Sequence, residues 1–318
     1  MSWDQIAQII NFTLRNATPV ILAALGGLLT EHAGIMNIGM EGMMLSGCFF
    51  AVAFSYICAS SGAGVIAAIL VGIILGLFFA LFVVKLKADE FIIGMTLNTF
   101  AGGLTAFLLR SVFGKTGSWA STDIIQLPKF DIPLLSSIPY LGKVFENISV
   151  FVAVSWILIV IVWIFLYKTP YGFWMRASGE HPEALETAGI SPIKMKFIAS
   201  VACGILCGIA GAHLSLGYVN NFAEGMSASR GFIAFACVVF GMSNPPKVYV
   251  AALMFGFLQA ISLNLQEYIA SDLTAAIPYL VTIIMLIYVT VSAANRKKRR
   301  EKQSLKEQSG ASEAPVSA

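Results

Sequence analysis

Charge is what this 318-residue chain has least of: Asp, Glu, Lys and Arg together make 12% of it, against roughly 25% in an average soluble domain. With 58% hydrophobic residues and a mean hydropathy of +0.82, the chain cannot be an ordinary soluble globule and reads as an integral membrane protein. A phosphate-binding GxxxxGK[ST] loop, a nucleophile with its base and a zinc-ligand spacing are all missing from the letters. That excludes ATP hydrolysis in a loop of that kind and any recognisable catalysis, and no metal or cofactor is expected. Five cysteines, Cys48, Cys58, Cys203, Cys207 and Cys237, fall inside apolar stretches without His or Asp at ligand spacing. Cys203 and Cys207, four apart on one helix face, read as small packing residues. Also missing is a row of membrane-embedded Asp, Glu or Arg of the kind that couples transport to an ion gradient; Arg110 and Arg230 sit at span ends. The N-terminus lacks a basic n-region and a small-residue cleavage site, so no cleaved signal peptide is expected.

What is present is long apolar runs, at about 43 to 60, 63 to 84, 91 to 109, 148 to 167, 197 to 217, 231 to 246, 248 to 265 and 273 to 294. A ninth, at 17 to 29, is short and joins the amphipathic segment 5 to 14 in one broken or tilted helix. Each run is long enough to cross or nearly cross a bilayer, where a helix satisfies its own backbone groups. The expected fold is therefore all-α and polytopic, with about 8 to 10 transmembrane helices in a single domain over 1–295. Glycine-bearing runs in both halves are compatible with an inverted repeat, although no repetition of letters shows one. Gly72 with Gly76, and Gly204 with Gly208 and Gly211, offer small faces for close helix contact. Among the few polar residues inside the runs, Asn98, Thr99, His213, Gln259 and Asn264 are expected to bond a neighbouring helix or to line a route.

Positive charge orients the chain. The tail 296–318 opens with Arg296, Lys297, Lys298, Arg299 and Arg300 and continues polar and disordered, which places the C-terminus in the cytoplasm. Alternating the spans backwards puts the turn at 245 to 247, the segment 168–196 and the turn 85 to 90 on the same side. Fourteen of the 20 Lys and Arg then lie inside, and six (Arg15, Arg110, Lys115, Lys129, Lys143 and Arg230) lie outside. The segment 113–147 and the loop 218 to 229 fall outside, and the first is long enough to lie on the membrane face or receive a partner.

Two stretches stand out against the apolar background. Residues 168–196 are a charged island whose inner part reads as a two-turn helix: Pro182 suits a first helical position, Glu183 and Glu186 sit near its positive end, and Gly189 and Pro192 stop it. Residues 30 to 47, TEHAGIMNIGMEGMMLSG, crowd Glu31, His32, Asn37 and Glu41 among glycines at the mouth of a span. Such density interrupts a helix, and interrupted helices at membrane depth line a cavity or pack against protein. Asn37 and Glu41, four apart, are expected to share a helix face, with a pathway role and a packing role equally open.

Three ordered segments, GIMNIGMEGMML (34 to 45), MRASGEHPEALETAGI (175 to 190) and EGMSASRGFIAFACVVFGMSNPPKV (224 to 248), resemble the permease subunits of bacterial ABC importers, in the branch serving branched-chain amino acids, ribose and nucleosides. NIGMEG and the RGFIAFA run look most like the nucleoside or simple-sugar permeases. The middle segment is similar to that family's coupling loop, its EAAxxxG core appearing as Glu183, Ala184, Leu185 and Gly189, with Leu185 in place of the second Ala. The resemblance implies a subunit that moves a nucleoside or simple sugar across the bacterial cytoplasmic membrane without chemistry of its own. It implies contact with a cytoplasmic ATPase dimer through Gly179, Glu180, Pro182, Glu183, Ala184 and Gly189; Asn37, Glu41 and Asn98 are the residues expected at the pathway from their place beside the interrupted helix and inside a span. The implied partners are a second, different permease subunit, an extracytoplasmic substrate-binding protein and membrane lipid, but no nucleic acid. The alternative class is a stand-alone secondary transporter or channel.

Overall fold

The computed structural model describes residues 3–130, 144, 146–265 and 280. The run 273–294 apart from Leu280, the tail 296–318 and most of 131–145 lie outside the described residues. Ten α-helices follow one another among those described: α1 (Trp3–His32), α2 (Met40–Ile57), α3 (Ser61–Ala80), α4 (Glu90–Phe113), α5 (Val150–Lys168), α6 (Pro170–Glu180), α7 (Pro182–Thr187), α8 (Pro192–Ala212), α9 (Arg230–Phe240) and α10 (Pro245–Leu265). Two end in π-helical turns, α3 at Leu81–Lys85 and α8 at His213–Val219. Four two-residue strands pair antiparallel outside the helices: β1 (Ser118–Trp119) with β4 (Phe222–Ala223), and β2 (Lys129–Phe130) with β3 (Ile148–Ser149). Six of the helices, α1 to α5 and α8, are long and apolar enough to cross a membrane. The chain is an all-α polytopic membrane protein.

The first span joins its two segments as expected, without a break. Residues 5 to 14 and 17 to 29 form one continuous helix that includes Pro19. Proline has no N–H to offer the carbonyl four residues back, so the Arg15 carbonyl loses its helical donor. The buried His213 ring fills in, its Nε2 lying 3.4 Å from that oxygen. His213 thus acts between helices, one of the two roles its position allowed.

The run 231 to 246, whose full crossing the letters leave open, is a short helix. Its helix, α9, ends at Phe240, and Met242 and Ser243 follow at φ 50° and 53°. Eleven residues of helix reach about 16 Å, roughly half the hydrocarbon core, so α9 does not cross by itself.

Close contact of small residues sets the core. A methyl group at Gly72 would lie 2.1 Å from the Gly204 carbonyl oxygen, one at Gly76 2.6 Å from that of Ser200, and one at Gly208 2.2 Å from that of Ala68. The antiparallel pair α3 and α8 is therefore in backbone contact over three turns, as the glycine faces predict. On the other side α10 packs along α1, with Gly256 against Ala17. α1 and α8 cross where Gly26 meets Cys203.

This gives an inverted arrangement. α1 ends, and α8 begins, at the end of the molecule that carries the island: Gly34 abuts Gly179, and His32 Nε2 lies 2.8 Å from the Ser243 carbonyl. Each of these long helices is followed by a non-helical stretch, a helix that starts inside the body (α2, α9), and a long helix packed on the other half's first (α3 on α8, α10 on α1). The two halves run in opposite directions. Apolar side chains such as Ile66, Leu70 and Ile74 on α3, and Ile157, Val160 and Ile161 on α5, face outward, as a bilayer-facing surface requires.

Candidate functional site

The island folds into two short helices. Thr169 caps α6, its Oγ1 accepting from the Gly172 N–H at 3.2 Å, with Pro170 in the first turn. His181, at φ −143°, breaks the chain before α7, where Pro182 leads and Glu183 lies in the first turn. Gly189 then takes φ +81°. Its N–H donates to the Glu186 carbonyl at 2.9 Å and that of Ile190 to Leu185 at 3.2 Å, a Schellman stop that needs a residue free to go left-handed. Ser191 and Pro192 at once start α8. The short helix expected to start at Pro182 and stop at Gly189 is therefore observed, over Pro182–Thr187.

Glu180, Pro182, Glu183, Ala184 and Gly189 are all exposed, whereas Leu185 is only 4% exposed and holds α7 to the body. Leu185, which stands where the motif that this segment resembles has its second Ala, is thus the anchor of the helix. On one side of α7 opens a groove of about 440 Å³ lined by Phe173, Trp174, Glu180, Ala184 and others. On the other side lies a cavity of about 450 Å³ walled by Ile35, Lys87, Glu90, Glu186 and Lys196. Gly179 plays a different part: a methyl there would sit 2.5 Å from the His32 carbonyl oxygen, so α6 lies directly on the chain between α1 and α2.

Asn37, Glu41 and Asn98 gather around that same connection. Residues 35 to 37 are not helical, so Asn37 and Glu41 do not share a helix face as their spacing suggests. Asn37 is buried and turns to α8: its Oδ1 accepts from the Gly39 N–H at 3.0 Å and its Nδ2 lies 3.3 Å from Cys203 Sγ. Asn98, reaching across from α4, accepts from the Gly42 N–H at 2.7 Å and donates to the Ile38 carbonyl at 3.1 Å. Both asparagines supply backbone partners that the break before α2 would otherwise leave empty.

Glu41 faces the other way, onto the start of α9. Its Oε1 accepts from Ser227 Oγ at 2.6 Å and the Ser229 N–H at 2.9 Å, and its Oε2 from the Gly231 N–H at 2.7 Å. A helix N-terminus presents unpaired N–H groups and a positive dipole end, both of which a carboxylate satisfies. Sequence reasoning missed Ser227, Ser229 and Gly231. Two serines just ahead of an apolar run are a usable start signal, but no local rule names the partner on α2.

The loop 218 to 229, expected outside, folds inward. Phe222 packs on Phe49 with ring centroids 5.2 Å apart, and Ser227 bonds Glu41, which lies about two turns nearer the start of α2. Arg230, one of the six basic residues counted outside, accordingly lies within the body beside Glu41.

The family model for the permease component of the branched-chain amino acid transport system matches residues 9–290. The guanosine ABC transporter permease protein NupQ of Bacillus subtilis is 35% identical over 292 residues, covering 87% of this chain and 90% of its own length. The nucleoside ABC transporter permease protein NupC of Lactococcus lactis is 33% identical, over 85% of this chain and 88% of its own. A putative glucose ABC transporter permease protein of Haloferax volcanii, TsgC13, is 32% identical, over 90% of this chain and 92% of its own. A second guanosine permease protein of the same Bacillus, NupP, matches at 28%. No solved structure matches the chain.

Proposed function

Because the chain belongs to the family of permease components of branched-chain amino acid transport systems, and so is the membrane subunit of an ABC transporter, we propose that it imports a nucleoside, with a simple sugar as the other candidate solute. Similarity to a guanosine permease over nearly the whole length carries the nucleoside reading, and similarity to a glucose permease keeps sugars in view. Energy comes from ATP hydrolysed on a separate cytoplasmic ATPase dimer. The C-terminus and the island end face the cytoplasm, and an extracytoplasmic binding protein delivers the solute at the opposite end. A different permease subunit completes the path; the similarity of this chain to both NupQ and NupP, two guanosine permease proteins of one organism, supports such a pair. Lipid and the second permease cover the outward apolar faces.

In this reading α7 is the lever. Glu180, Glu183 and Ala184 meet the ATPase cleft, Pro182 and Gly189 fix the ends of the helix, and Gly179 passes its motion to the α1–α2 connection. Asn37, Glu41 and Asn98 sit at the pathway, where they keep the broken backbone of α2 and α9 in shape as the halves move. The test is uptake of labelled guanosine and labelled glucose by cells expressing the chain with its ATPase, second permease and binding protein. Glu183→Lys reverses a charge at the ATPase contact and is expected to lower uptake at least tenfold while membrane insertion is unchanged. Wild-type uptake in that variant would sink the lever. Uptake driven by an ion gradient in vesicles holding this chain alone would instead favour a secondary transporter.

A further inference from the structure

Resting on the permease reading above, we propose that residues 222–231 form a stiff tie that carries displacement of the outer segment down to α9 and the island, with Glu224 and Glu41 as the positioning residues at its two ends. The upper end is fastened twice. Ser118 and Trp119 pair with Ala223 and Phe222, and Glu224 grips Gly117: its Oε1 accepts the Gly117 N–H at 2.8 Å while its own N–H donates to the Gly117 carbonyl at 2.8 Å. The outer segment 113–147 therefore cannot shift at residues 117 to 119 without pulling on 222 to 224.

Below these bonds the segment is wound tight. Met226, Ala228 and Arg230 each donate a backbone N–H to the carbonyl three residues back, to Ala223, Gly225 and Ser227 at 3.0, 2.9 and 3.0 Å. The Arg230 guanidinium closes the last turn on the Met226 and Ser227 carbonyls at 3.3 and 3.2 Å. Consecutive closed turns resist stretching, unlike a free loop of the same length. The lower end is the three-bond grip of Glu41, in which a charged acceptor takes two N–H groups and a hydroxyl, the stronger class of hydrogen bond.

From there the path continues through rigid parts. α9 ends at the turn whose Ser243 carbonyl meets His32, and two residues on Gly34 lies against Gly179 of α6. The outer segment and the island are thus joined by one load path of hydrogen bonds, closed turns and a glycine contact, with a carboxylate at each end of residues 222–231. A binding protein seated on the outer face would be sensed at the ATPase through it.

The assembled transporter in proteoliposomes tests this, reading ATP hydrolysis with and without guanosine-loaded binding protein. Ser227→Ala removes one bond of the lower grip and leaves the backbone bonds of α9, so stimulation is expected to fall about threefold with basal hydrolysis unchanged. Glu41→Gln turns one acceptor into a donor facing an N–H group and is expected to lower stimulation at least tenfold. Glu224→Ala loosens the upper end and is expected to lower stimulation about threefold. Adding Ser118→Cys and Ala223→Cys to that variant restores it when the disulfide is oxidised and loses it again on reduction, a rescue that a purely structural role would not give. Full stimulation in both Glu41→Gln and Ser227→Ala would overturn the tie. So would loss of stimulation on oxidising the cysteine pair in otherwise wild-type protein, because the outer segment would then have to slide along residues 222 to 224. If neither guanosine-loaded nor glucose-loaded binding protein stimulates the wild-type complex, the ATP-driven import proposed above fails, and the tie with it.

Discussion

Gly72 and Gly103 are both helical glycines on apolar spans, and their surroundings give them opposite roles. A methyl group at Gly72 would meet the Gly204 carbonyl at 2.1 Å, and that oxygen belongs to backbone that cannot swing away, whereas one at Gly103 would meet nothing within 4 Å. Gly72→Ala must push α3 off α8 and is expected to cost about 1–3 kcal/mol, the usual range for overpacking. Gly103→Ala is expected to stay within about 0.5 kcal/mol of wild type. Thermal unfolding of the two purified variants in detergent checks the pair, and equal melting temperatures would show that the α3–α8 contact does not limit stability. His213 shows the same dependence on surroundings. Its place in an apolar run permits either a route or a helix contact, and only the Arg15 carbonyl freed by Pro19 decides for contact.

At the scale of elements, α7 is legible in the letters because its signals are local. Proline at the first turn, acidic residues near it and glycine at the left-handed stop depend on nothing beyond six or eight neighbours. Its attachment is not legible in that way. α7 has a single buried side chain, Leu185, between two cavities, so Leu185→Ala is expected to release the helix from the body at a local cost of about 2–5 kcal/mol. Faster amide hydrogen exchange confined to residues 182–188, with uptake of labelled guanosine reduced in parallel, is the expected result. Unchanged exchange would mean that the caps alone hold α7. The helix α9 illustrates the reverse case. Hydropathy reads 231 to 246 as a span, yet the left-handed residues Met242 and Ser243 stop it and Glu41 fixes its start deep in the body.

For the whole molecule, the expected topology places the C-terminus in the cytoplasm, on the basic cluster at 296 to 300. A fluorescent protein fused after Ala318 is then expected to fold and glow, and alkaline phosphatase at the same position to be inactive; the opposite pair of results would invert the orientation. The low charge, the apolar runs and the three ordered motifs by themselves determined that the chain is an all-helical membrane permease with a charged island between two spans. Each of these is a property of composition or of residues near one another in sequence, which bilayer thickness and helix capping translate directly into structure. The inverted pairing of α3 on α8 and α10 on α1, the half-length of α9, the inward course of residues 222–231 and the grip of Glu41 on α9 were decided only by tertiary structure. They depend on contacts between residues far apart in sequence, 190 positions for Glu41 and Gly231. Opposed halves with unlike letters produce them through backbone approach and N–H groups left unpaired at helix breaks, features that side-chain hydropathy does not record.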